Sequence, residues 1–166
     1  MPDATIVVLT GGLAAATVID LRSRRIPNSL TGGMIVLGVG FAAFGASGIS
    51  MPASLLGLIL GFLLMMPGYA LGATGAGDVK LMAAVGAIIG PGLTVTAFLF
   101  TAIAGGVLAV VVAVRRRQLG ATFAGTGRLI AAPTDARRQI RSAAPVRRFA
   151  YGPAIAIGSV LATLVG

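Results

Sequence analysis

Six apolar runs, each ended by glycine, proline or charge, leave this chain few ways to fold. They lie at about 4–21, 30–48, 53–72, 79–90, 93–114 and 149–166. Only 10% of the 166 residues are charged and 57% are hydrophobic, whereas a soluble domain carries roughly 25% charged residues. Water could not solvate the surface of such a globule. The runs therefore predict an all-α integral membrane protein, a six-transmembrane helical bundle. A single domain is expected over 1–166, with a basic loop at about 115–148.

Charge orients the bundle. The basic residues are Arg22, Arg24 and Arg25, then Lys80 alone, then the nine arginines from Arg115 to Arg148. With the N-terminus outside, six crossings place every Lys and Arg on the inner side, and the C-terminus also ends outside. An odd number of spans breaks this pattern. The net charge of +9 is thus read as positive-inside topology, with the bilayer as partner. No nucleic-acid partner is expected, because these loops lack aromatic stacking platforms. The first run has no basic segment ahead of it and ends in "DLRSRR" without a small-residue cleavage site. It is expected to remain in the mature protein.

The fourth run is short. Val79 to Gly90 is 12 residues, about 18 Å of helix against a hydrocarbon core of about 30 Å. Either the helix runs on through Pro91, or it starts below the membrane surface. In the second case, backbone at that depth must be enclosed by neighbouring helices or line a wet cavity. Pairs of glycines four apart recur in the runs: Gly57 and Gly61, Gly68 and Gly72, Gly86 and Gly90. Small residues at this spacing let helices approach closely, here within one chain rather than across a dimer.

The composition also excludes chemistries. There is no cysteine and no histidine, so disulfides, thiolate nucleophiles and histidine triads are ruled out. No metal or other cofactor is expected. The four acids are Asp3, Asp20, Asp78 and Asp135. Asp3 and Asp135 read as solvated groups. Asp20 ends the first run, and Asp78 follows the third within "GATGAGDVKLMAA", residues 72–84. In the topology above both fall on the inner face. An ionised aspartate within a span costs roughly 2.5–3.5 kcal/mol at mid-helix and less near the interface, and such residues usually face the bundle interior. Taken singly, Asp20 can pair with Arg24 four residues on, and Asp78 can cap the fourth helix on the amides of Lys80 or Leu81. Taken together they suggest a dyad. Two carboxylates within a few ångströms cannot both ionise cheaply and so share a proton. The charged member then polarises a water while the protonated member donates to a carbonyl.

Three segments carry a family resemblance. "GAGD", Gly75 to Asp78, followed by Val79 and Lys80, resembles the GxGD motif of the aspartic prepilin peptidases. "DLRSRRIPN", Asp20 to Asn28, is similar to that family's first catalytic motif. "YGPAIAIG", Tyr151 to Gly158, resembles its final helix. The resemblance implies an intramembrane-type aspartic endopeptidase, with Asp20 and Asp78 catalytic. It would cut the leader from type IV or related prepilins at the cytoplasmic face of a prokaryotic inner membrane, after a glycine with a glutamate shortly downstream. The chain begins almost at its first run and lacks cysteine, so it looks like the short form associated with Flp-type tight-adherence pili. No methyltransferase activity is expected.

Supporting residues follow from the same motifs. Gly75 and Gly77 let the backbone turn or approach substrate before Asp78, or else cap the third helix. Pro27 sets the start of the second helix, which Asn28 either caps or leaves to orient Asp20. Lys80 pairs with an acid on the substrate, tunes Asp78, or snorkels to the interface. Tyr151 and Pro153 are expected to shape the sixth helix. Two rival readings remain. A small proton-coupled transporter would use the two acids as a relay, and a non-catalytic membrane scaffold would not need them.

Overall fold

The structure is a computed structural model, described here over residues 2–115 and 151–166. All regular structure among those residues is helical: α1 Asp3–Ser23, α2 Asn28–Ala43, α3 Met51–Ala70, α4 Ala76–Arg115 and α5 Gly152–Val165. Helix α1, helix α3 and the Ala76–Leu108 part of α4 are long and apolar enough to cross a membrane, while α2 and α5 are shorter apolar helices. This is the helical membrane protein that the apolar runs predict. Apart from Arg115, the basic loop expected at 115–148 lies outside the described residues.

Glycine sets the helix ends. Helix α3 closes in a Schellman turn, with Gly72 at φ 79. The Gly72 amide donates to Tyr69 O at 3.0 Å, and that of Ala73 to Gly68 O at 2.9 Å. Gly72, not Gly75 or Gly77, therefore terminates α3. Helix α2 ends the same way. Gly45 has φ 70, and Ala46 N donates to Phe41 O at 2.7 Å. The expected second run of 30–48 stops at Ala43 for this reason.

Helix α4 contains one break. Gly90 has φ 78 and ψ 174, a region open essentially only to glycine, and Pro91 follows it. The helix divides there into an inner arm, 76–89, and an outer arm, 91–115. The short fourth run is thus resolved in an unexpected way. The helix does continue past Pro91, but it changes direction at Gly90 first.

The inner arm is the centre of the molecule. Every residue from Leu81 to Gly90 is buried, and Leu81, Met82, Ala84, Val85 and Ala87 are 0% exposed. A helix apolar on all faces must be surrounded by others. The contacts that enclose it are made by small residues. A methyl on Gly57 would strike the Gly86 carbonyl, and one on Gly61 the Met82 carbonyl. A Cβ on Gly38 of α2 would lie 2.9 Å from Ile88 Cγ1. The Ser54 hydroxyl donates to Ala87 O at 2.6 Å. The close-packing glycines Gly57, Gly61 and Gly86 are therefore used within the chain. Leu9, Leu13, Met34, Met65 and Ile155 complete the core around this arm. Large apolar side chains such as Val7, Val36, Phe44, Leu63 and Ile103 remain exposed on the outside.

Candidate active site

The end of α1 and the start of α4 lie 58 positions apart in sequence, yet Asp20 and Asp78 line the same cavity. Asp20 is 5% exposed and Asp78 is 6% exposed. The cavity has a volume of about 420 Å³, within the range of small-ligand and peptide side-chain sites. Arg24, Arg25, Ile26 and Asn28 line it from the α1–α2 connection, and Gly72 to Gly77 line it from the α3–α4 connection. Lys80 completes the lining.

Each carboxylate is held by a backbone amide. Asp78 lies in the first turn of α4, and its Oδ2 accepts from the Gly75 amide at 2.8 Å. This is the reach-back half of a capping box, in which a side chain in the first turn satisfies the amide just ahead of the helix. A forward cap on the amides of Lys80 or Leu81 is one reading of Asp78 taken singly; the bond formed runs in the opposite direction. An aspartate three residues into the helix points back along the chain more readily than forward.

Asp20 sits in the last turn of α1. The backbone turns sharply after it. Arg24 adopts a left-handed φ of 53, and its amide returns to Asp20 O at 2.8 Å. The Ser23 hydroxyl bridges this turn to the Ile19 and Arg25 carbonyls, at 2.9 and 3.1 Å. The Asp20 Oδ2 accepts from the Gly152 amide at 2.9 Å. That donor comes from 132 positions away and opens α5. Sequence reasoning passed over Gly152, because a glycine at a helix start has an ordinary explanation and its partner is remote.

The neighbouring motif residues divide. Pro27 is extended, with φ −65 and ψ 140, and its carbonyl accepts from Leu30 N at 3.2 Å and Thr31 N at 3.3 Å. Asn28 is the first residue of α2, with no side-chain cap at that helix start. It does not cap α2, since Pro27 already occupies the position before the helix. Its Oδ1 instead accepts from Lys80 Nζ at 2.8 Å, which joins α2 to α4 across the cavity rim. Gly77 lies against Ile26: a Cβ there would come within 3.1 Å of Ile26 Cβ and 3.4 Å of its amide nitrogen. The bare Cα lets the α1–α2 connection rest on the first turn of α4. Gly75 is the donor to Asp78, and a Cβ on it would lie 3.2 Å from the same carboxylate oxygen. Tyr151 is half-buried just before α5. Its hydroxyl packs on Gly105 of the outer arm, where a methyl would collide with it.

The arrangement is two buried carboxylates, each fixed by one amide, in a cavity that also carries Arg24, Arg25 and Lys80. With one proton on the two acids, the three cations outnumber the remaining negative charge. Such a site can hold water against a carboxylate and stabilise negative charge developing on a polarised carbonyl. Among the described residues, no group of three acidic, histidine or cysteine side chains is placed to hold a metal ion.

No curated protein and no solved structure matches the chain. The model of the type IV leader peptidase family matches residues 7–110, a stretch that includes both aspartates and all of the α3–α4 connection. That match covers more than half of the sequence, and with it the chain belongs to the type IV leader peptidase family.

Proposed function

We propose that this protein is an aspartic endopeptidase that removes the leader from type IV or Flp-type prepilins, with Asp20 and Asp78 as its catalytic pair. The observation that carries the reading is the meeting of these two buried acids, remote in sequence, in one cavity. The family match supports leader-peptidase activity in general. In the proposed reaction the ionised member of the pair takes a proton from a water, and the protonated member donates to the scissile carbonyl. Water oxygen adds to the carbonyl carbon. The C–N bond then breaks as the proton passes to the leaving amine, which gives a carboxylate and a free amine.

The same reading places six spans in a prokaryotic inner membrane, with both termini outside and the cavity at the cytoplasmic face. The two arms of α4 would serve as separate crossings joined at Gly90. Its support is the charge distribution: Arg24, Arg25 and Lys80 surround the same cavity, and basic residues favour the inner side. A cut made there would fall where a basic leader meets an apolar stem.

Co-expression of a prepilin with the wild type, with Asp20→Asn and with Asp78→Asn tests the assignment by gel mobility. Loss of the shortened product with each variant is expected. Full processing by both would return the protein to the transporter or scaffold readings.

A further inference from the structure

The family match stops at residue 110, but the hydrogen bonding of Asp20 does not. Its carboxylate takes the Gly152 amide at 2.9 Å. Gly152 is buried, and a buried amide or carboxylate oxygen left without its partner is costly. The fit is close on the other side as well. A Cβ on Gly152 would lie 2.9 Å from Asp20 Oδ2, 3.1 Å from its Cβ and 3.3 Å from its Cγ. Real Cβ atoms do not approach an oxygen so closely, so any side chain at 152 pushes the carboxylate away. The next turn is anchored independently: Gly158 packs on Thr101 and Ala97 of the outer arm, and Ile155 and Ala154 are 0% exposed. Helix α5 therefore cannot simply slide to make room.

We infer that Gly152 is a positioning residue for the peptidase reaction: its amide and its bare Cα together hold the Asp20 carboxylate at the angle from which it shares the cavity with Asp78. The inference rests on the aspartic-peptidase reading above and extends the working site to the far end of the chain. Gly152 touches no substrate. It acts through Asp20, and the last helix becomes part of the catalytic apparatus rather than packing alone.

The test uses the full-length protein purified in detergent, a synthetic prepilin as substrate, and Gly106→Ala as a control at an exposed glycine whose Cβ would meet none of the described residues. Gly152→Ala is expected to lower kcat on the order of 10- to 100-fold with KM nearly unchanged, since a displacement of about 1 Å costs that much in positioning while substrate contacts remain. A second measurement isolates the contact. Gly152→Ala should lower the thermal midpoint clearly more in the wild-type background than in Asp20→Ala, where the carboxylate is gone and only the contact with the residue-20 Cβ, at 3.1 Å, is left. Wild-type kcat for Gly152→Ala overturns the inference. So does a loss that appears only in KM or only in proportion to the unfolded fraction, and so does an equal thermal shift in both backgrounds. Retained processing by Asp20→Asn is a different failure. It removes the catalytic reading, and the role of Gly152 with it, whatever the thermal data show.

Discussion

Gly77 illustrates how little space the site leaves. A Cβ on Gly77 would come within 3.1 Å of the Ile26 Cβ and 3.4 Å of the Ile26 amide nitrogen, and Ile26 belongs to the segment that carries Arg24 and Arg25 along the cavity wall. A methyl at this position forces the segment outward. Gly77→Ala is expected to destabilise the protein by about 1–3 kcal/mol, the usual cost of overpacking. It should also slow prepilin cleavage, because the displaced connection runs directly from Asp20. Thermal unfolding in detergent, read beside a cleavage time course, checks both. At this scale the aspartates were legible because an acid is rare in an apolar chain. Their hydrogen-bond partners were not. The Gly75 amide is three residues from Asp78, and the opposite capping direction was equally reasonable on spacing alone. The Asn28–Lys80 bond spans 52 positions and the Gly152–Asp20 bond 132, distances over which no periodicity carries information.

Helix α4 gathers the most structure into one element. Its inner arm is buried throughout from Leu81 onward and its first turn carries Asp78, so the break at Gly90 decides how the outer arm leaves the core. The backbone there has φ 78 and ψ 174, a conformation that costs a residue with a Cβ about 1–3 kcal/mol. Among the described residues a Cβ would meet only Ile49, at 3.6 and 3.7 Å, so strain rather than collision dominates. Gly90→Ala is expected to lower stability by that amount, measured as a fall in the thermal midpoint. An unchanged midpoint would mean that the helix can run straight through. The apolar runs anticipated every helix in the described residues, because hydrophobic length is written locally. Helix ends were less legible. The second run continues apolar to residue 48, but the left-handed Gly45 closes α2 five positions earlier. Composition does not distinguish a glycine that packs from a glycine that turns.

For the molecule as a whole, the proposed topology puts the α2–α3 turn and the α3–α4 connection on opposite sides of the membrane. Ala46 and Ala73 are exposed in these two segments, and the absence of native cysteine makes the experiment clean. In intact cells, Ala46→Cys is expected to react with an impermeant maleimide, and Ala73→Cys only after permeabilisation; the reverse pattern would invert the bundle. The proposed chemistry depends on Asp20 and Asp78 acting as a unit within the cavity they both line. The most direct measurement is the cleavage rate of a synthetic prepilin by purified wild type, Asp20→Asn, Asp78→Asn and the double variant. A working pair predicts that either single change lowers kcat on the order of 10⁴-fold or more, and that the double change is scarcely worse than either one. Near-wild-type cleavage by either single variant, or modest losses that multiply in the double, would contradict it.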